Sequence, residues 1–139
     1  MFRVKRIIEF GDTDMAGIVH FSNFFRYMEA AECAFLRTLG LSVAMEWEGE
    51  KIGLPRVSAA CDYLRPVRFG DELEILVEVA KVGRKSLSYV FEFRHHGEAV
   101  ARGRITAVCC RVRPESHGLE SIEIPATFRA RLEGPAPRS

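Results

Sequence analysis

The sequence predicts an α+β domain in which one long helix packs on a curved antiparallel sheet. Three observations predict it: one long stretch with apolar residues at three- and four-residue steps, several later segments of strict two-residue alternation, and no repeating helix-strand units. The chain has 139 residues, a size that suits one domain with one core. Residues 1–139 are read as that domain, with about 130–139, rich in Gly and Pro, as a mobile tail.

The elements follow in order. Phe2, Val4, Ile8 and Phe10 alternate with Arg3, Lys5 and Glu9, as a half-buried strand requires. Gly11-Asp12-Thr13-Asp14-Met15-Ala16-Gly17 then sets two glycines around acidic and hydroxyl residues, the composition of a structured turn. From Ser22 to Leu39 the period changes: Phe24, Tyr27, Met28, Ala31, Phe35 and Leu39 share one helical face, with Ser22 or Asn23 to cap the start and Gly40 to end it. Glu32 is read as solvated or capping a neighbour's contact. Ser42 to Lys51 reads as a short helix or loop over one end of the core.

Val57 to Leu64 is the next strand, and Leu73, Ile75, Val77 and Val79 alternate with Glu72, Glu74 and Glu78 in the one after. Gly83-Arg84-Lys85 turns the chain into Leu87, Tyr89, Phe91 and Phe93, and His95-His96-Gly97-Glu98 turns it again into a last strand from Ala99 to Val112. The odd positions Ala99, Ala101, Gly103, Ala107 and Cys109 are small, which lets a bulky helix lie close to the middle of the sheet. Ile122, Ile124, Pro125 and Phe128 suggest a short helical turn. Apolar even positions (Leu76, Val90, Val100, Val108) predict that part of the outer face is covered by self-association.

Composition narrows the partners. A net charge of +1 and 28% charged residues give no basic stripe for nucleic acid. No apolar run approaches the roughly eighteen residues of a membrane span, and the start has no signal-like leader, so a cytoplasmic protein without a membrane partner is expected. Cys33, Cys61, Cys109 and Cys110 lack zinc-ligand spacing and read as reduced thiols. Vicinal pairs such as His95-His96 and Cys109-Cys110 cannot both point at one ion from a regular strand, so no metal is expected.

The block Ile8-Glu9-Phe10-Gly11-Asp12-Thr13-Asp14-Met15-Ala16-Gly17-Ile18-Val19-His20-Phe21-Ser22-Asn23-Phe24, followed by Tyr27-Met28-Glu29-Ala30-Ala31, resembles the signature of the 4-hydroxybenzoyl-CoA thioesterase family, including the thioesterases associated with the Tol-Pal operon. The resemblance implies the hotdog fold with a five-stranded sheet, hydrolysis of an acyl-CoA to free acid and CoA without a cofactor, and a homo-oligomer: a dimer, and a tetramer as a dimer of dimers. It makes Asp14 the catalytic carboxylate and the backbone N–H of Phe21 the group that polarises the thioester carbonyl. A helix start suits that task, because its first amides are unsatisfied and sit at the positive end of the dipole. Asp14 can attack the carbonyl or deprotonate a water, and the thiolate leaves without a strong general acid.

The resemblance also implies pocket-lining positions at His20 and Phe24, an acyl-pocket position at Glu29 reached from across a dimer, and CoA phosphate contacts at Arg84-Lys85-Ser86. Pro55 and Ser58 match the region bordering the acyl pocket. Alternatives stand beside several of these: Glu29 as a solvated helix carboxylate, the basic turn as plain surface, the aromatic residues as core, and His20 as a proton-handling group. A Ser22-His20-Asp14 triad is crowded into one loop without a nucleophile elbow. Competing functions are hydrolysis of a carrier-protein thioester, a hotdog dehydratase, for which only His20 is near, and a non-catalytic acyl-binding module.

Overall fold

A computed structural model of the chain describes residues 1–135. Strand β1 (Phe2–Ile7) leads through a 3-10 turn at Phe10–Asp12 to helix α1 (Asn23–Thr38). The hairpin β2 (Ala44–Trp47) and β3 (Glu50–Gly53) comes next, then the strands β4 (Arg56–Tyr63), β5 (Glu72–Val82), β6 (Ser86–His95) and β7 (Glu98–Val108). The short strands β8 (Cys110–Val112) and β9 (Leu119–Ser121) and helix α2 (Ala126–Glu133) complete the chain. A five-stranded antiparallel sheet has the order β1-β5-β6-β7-β4, and a second, four-stranded sheet the order β2-β3-β8-β9. Among the described residues no helix is long and apolar enough to cross a membrane.

Helix α1 lies on the large sheet along the face its spacing predicts. Phe24, Tyr27, Met28, Ala31 and Phe35 are all buried, and aromatic edges lock the layers together: Phe24 meets Phe93 at 5.2 Å, and Phe35 meets Phe2 at 5.6 Å. The small face of β7 has the anticipated effect. At Gly103 the helix comes so near that a Cβ would stand 2.3 Å from Met28 Sδ. Gly40 ends the helix in the left-handed region at φ +71, with the Leu41 N–H reaching the Leu36 carbonyl at 2.9 Å.

Several expectations are corrected. Neither Ser22 nor Asn23 caps α1 with its side chain; the buried Asn23 amide instead donates to the Asp12 carbonyl at 2.8 Å, tying the helix start to the preceding loop. Strand β1 stops at Ile7, so Phe10 leaves the alternation and stands 77% exposed against Phe69. The stretch Ser42–Lys51 mostly forms the β2–β3 hairpin, turned by Glu48 and Gly49, both at positive φ. The expected last strand is two strands: Cys109 leaves the ladder, donating to the Lys85 carbonyl and accepting from the Ile122 N–H, and the chain passes into the second sheet.

The C-terminal turn is a full helix. Phe128 and Leu132 on α2 are buried, and Trp47 packs on Phe128 at 5.5 Å. Residues 130–133, expected in the tail, are therefore helical, while 136–139 lie outside the described residues. The outer face is also less bare than expected. Val100 is the extra residue where β7 shifts register against β6, and it joins the core. Leu76 lies in register between Arg3 and Glu92, whose long stems shield it to 4% exposure.

Candidate active site

The loop from Glu9 to Ser22 holds itself in shape before any ligand arrives. Asp12 is buried, and its carboxylate accepts the Glu9 N–H at 3.0 Å. Its carbonyl takes the His20 N–H at 2.9 Å as well as the Asn23 amide. Burial and the neighbouring Asp12 carboxylate together push the Tyr27 hydroxyl well above its ordinary pKa, so it stays protonated. Asp12 is thus a structural residue of the turn, as its position suggested.

Asp14 is fixed by its own backbone and side chain. Its N–H donates to the Ile18 carbonyl at 2.8 Å, and its Oδ1 accepts the N–H groups of Ala16 at 2.8 Å and Ile18 at 3.4 Å. Gly17, at φ +81, makes the reversal possible. One carboxylate oxygen is therefore used for orientation; Oδ2 has no hydrogen-bond partner among the described residues. The side chain borders a cleft of about 450 Å³ that also involves Ile18, Phe21, Phe24, Tyr63 and Leu64.

Phe21 sits at the mouth of α1. Among the described residues no acceptor takes its N–H, whereas its carbonyl accepts the Tyr63 hydroxyl at 2.9 Å. Tyr63, at the end of β4, also packs edge-on against Phe24 at 5.3 Å. Sequence reasoning missed Tyr63; the available signal was an aromatic residue closing a strand before Pro66, with a phenol that needs a partner. His20 is exposed, stacks on Phe21 at 4.7 Å and pairs through Nδ1 with Ser22 Oγ at 2.7 Å. No hydrogen bond or ion pair joins His20 to Asp14 among the described residues, so the triad does not form.

The remaining candidates do not gather here. Glu29 is exposed, further along α1. Ser58 pairs with Thr106 on the outer face of the sheet, turned away from α1. Pro55, Arg84, Lys85 and Ser86 lie at the opposite end of the sheet. Strand β5 runs from Glu72, paired with Ile7 near the Asp14 loop, to Val82, beside the basic turn; ten strand steps separate these ends by about 33 Å. The Asp14 group and the basic turn are brought to two ends of one protomer.

Glu32, expected to be solvated or to cap a neighbour's contact, is not solvated: it is fully buried and pairs with Arg56 at the start of β4. Burial raises its carboxyl pKa, and the nearby Arg56 guanidinium only partly offsets that rise. Burial likewise pushes the Cys61 and Cys109 thiols up to about 11, which disfavours the thiolate either would need as a nucleophile. A larger hollow of about 550 Å³ between the end of α1, β5 and α2 is lined chiefly by apolar residues such as Phe35, Leu39 and Leu132. It contains none of the candidate residues.

An acidic loop entering a helix over a five-stranded sheet is matched by one family model, the thioesterase-like superfamily, over residues 8–132. The chain belongs to that superfamily. A 1,4-dihydroxy-2-naphthoyl-CoA hydrolase of Synechococcus elongatus is 31% identical over 109 residues, covering 78% of this chain and 80% of the relative. Among solved structures, a gentisyl-coenzyme A thioesterase superposes with a TM-score of 0.79 at 31% identity, covering 91% of this thioesterase and 98% of that chain. A 4-hydroxybenzoyl-CoA thioesterase in complex with 4-hydroxybenzoyl-CoA gives 0.79 at 24% identity, over 94% and 96% of the two chains, and supports the hotdog fold alone.

Proposed function

We propose that this thioesterase hydrolyses an aromatic acyl-CoA, with Asp14 as nucleophile or general base and the Phe21 N–H as the oxyanion donor. The observation that carries the reading is that one cleft is lined by both Asp14, whose Oδ2 has no partner among the described residues, and Phe21, whose N–H just before α1 meets no acceptor among them. As nucleophile, Asp14 forms an anhydride with the acyl carbon, the C–S bond breaks, CoA leaves as thiolate and water then opens the anhydride. As base, it takes a proton from the attacking water. In both routes negative charge develops on the carbonyl oxygen, where a pre-placed amide at a helix N-terminus stabilises it. Two relatives named for aromatic acyl-CoA substrates and the Phe21, Phe24 and Tyr63 rings around the cleft support an aryl acyl group.

The working unit in this reading is a dimer formed through β4, with a tetramer built from two such pairs. Strand β4 is an edge of the sheet, with Val57 62% and Tyr63 45% exposed. Two copies related by a two-fold axis perpendicular to that edge pair antiparallel, so the basic turn of one protomer comes toward the Asp14 end of its partner. Arg84 and Lys85 then receive the CoA phosphates from across the interface.

The test is thiol release from a panel of aromatic and aliphatic acyl-CoA esters. Asp14→Asn and Asp14→Ala are expected to stay folded and lose about two to four orders of magnitude in kcat. Retention of more than a tenth of the wild-type rate by either variant refutes the assignment.

A further inference from the structure

The basic turn between β5 and β6 is held almost entirely from outside itself. Arg129 of α2 donates from Nη2 to the carbonyls of Gly83 at 2.7 Å and Arg84 at 3.3 Å, and from Nη1 to the carbonyl of Val82 at 3.4 Å. The Ile124 N–H reaches the Arg84 carbonyl at 2.9 Å, and the Cys109 N–H the Lys85 carbonyl at 2.7 Å. Every carbonyl from Val82 to Lys85 therefore has a donor from the C-terminal part of the chain. The N–H groups of Arg84 and Lys85, by contrast, meet no acceptor among the described residues. Lys85 stands beside these amides, as does Arg84, whose guanidinium meets the exposed Glu123 carboxylate at 3.3 Å; a turn with its carbonyls occupied, its amides free and two cationic side chains is arranged to receive an anion that displaces this surface pair.

We propose that Arg129 is a positioning residue for the Gly83–Ser86 turn, so that affinity for the phosphates of CoA is set in part by the C-terminal helix. This rests on the reading of the turn as the phosphate-contacting element. Arg129 need not touch the ligand. Its planar fork satisfies three successive carbonyls at once and draws them away from the phosphate side. Without it, two adjacent like charges on a short turn have more freedom, and ordering them again on binding costs affinity. Arg131, on the same helix, bonds the Leu39 carbonyl at 3.0 Å and stacks on Trp47. It fastens α2 without touching the turn and serves as the control.

The experiment measures binding of CoA and of pantetheine, which lacks the nucleotide and its phosphates, to the full chain by calorimetry, with Tm recorded for every variant. Arg129→Gln is expected to raise the Kd for CoA about five- to tenfold and to leave pantetheine unchanged, while Arg131→Gln changes CoA binding less than about twofold. Should Arg129→Gln fail to fold, Arg129→Lys takes its place, with CoA bound at least about threefold more weakly because an ammonium cannot fork across the carbonyls. If Arg84→Ala binds CoA as tightly as wild type, the phosphate reading of the turn falls, and this inference with it. If Arg84→Ala weakens CoA while the Arg129 variant does not, the inference alone is overturned. It is equally overturned if pantetheine weakens in step or Arg131→Gln has the same effect.

Discussion

Gly103→Ala places one methyl group between α1 and the sheet, at the point of closest approach. The added Cβ would lie 2.3 Å from Met28 Sδ, 3.1 Å from Met28 Cε and 3.3 Å from the Ala60 carbonyl oxygen. Ordinary contact needs about 3.5–4.0 Å, so the sulfur must retreat by more than about 1 Å. Met28 is fully buried, and the Ala60 contact is backbone, which leaves the methyl little room to move the other way. Overpacking of this kind costs about 1–3 kcal/mol, against which the stiffer unfolded chain returns about 0.4–1. A net loss of about 1–2 kcal/mol lowers Tm by roughly 3–8 °C in a domain of this size. Thermal and urea unfolding measure it. Because α1 carries the Phe21 amide at its start, kcat should fall as well.

The mutant cycle with Met28→Ala isolates the cause. Shortening Met28 alone leaves a cavity and costs about 2–5 kcal/mol, but in the double variant the methyl introduced at position 103 enters that space. The pair should be more stable than the sum of the singles by at least about 1 kcal/mol. Strict additivity, or a Gly103→Ala protein within about 0.5 kcal/mol of wild type, would show that the close approach does not govern the packing.

Two further outcomes follow from one hydroxyl and one buried carboxyl group. Tyr63→Phe removes the hydrogen bond to the Phe21 carbonyl and keeps the ring, so kcat should fall about three- to tenfold with KM nearly unchanged; a wild-type kcat would show that the phenol does not hold the helix entrance. Glu32 titrates higher in the folded protein than its ordinary 4.5, chiefly because it is buried. Its stabilising contribution is complete below the unfolded pKa and is lost as pH rises through the raised folded value. The Tm of wild type minus that of Glu32→Gln should therefore fall as the pH is raised above 4.5, and a difference that is flat or grows with pH contradicts the burial argument.

Local pattern made the frame legible. The α1 stripe, the alternation in β5 and β6 and the small face of β7 each impose a period that only one packing satisfies. The loop that carries Asp14 was legible because its surroundings are contiguous in the chain, from the strand through the loop to the helix start. What escaped depends on distant partners. Glu32 falls beside the apolar stripe of α1, but its burial depends on Arg56, 24 residues away. Tyr63 reaches a carbonyl 42 residues back. The β2–β3 hairpin lacks the Asn-Gly or Asp-Gly pair that announces a two-residue turn, and α2 has only Phe128 and Leu132 to mark its buried side. Ser58 matched a pocket position by resemblance, yet strand alternation turns it to the outer face.

The departure of Cys109 from the large sheet has a consequence for how the protein is made. Synthesis runs from the N-terminus, and the Asp14 loop, α1 and the long strands all precede residue 109. The carbonyls of Val82, Gly83 and Arg84 wait for donors that emerge only with Ile124 and Arg129. A chain cut near residue 120 thus carries the Asp14 loop, α1 and the long strands but lacks the donors that hold the carbonyls of its basic turn.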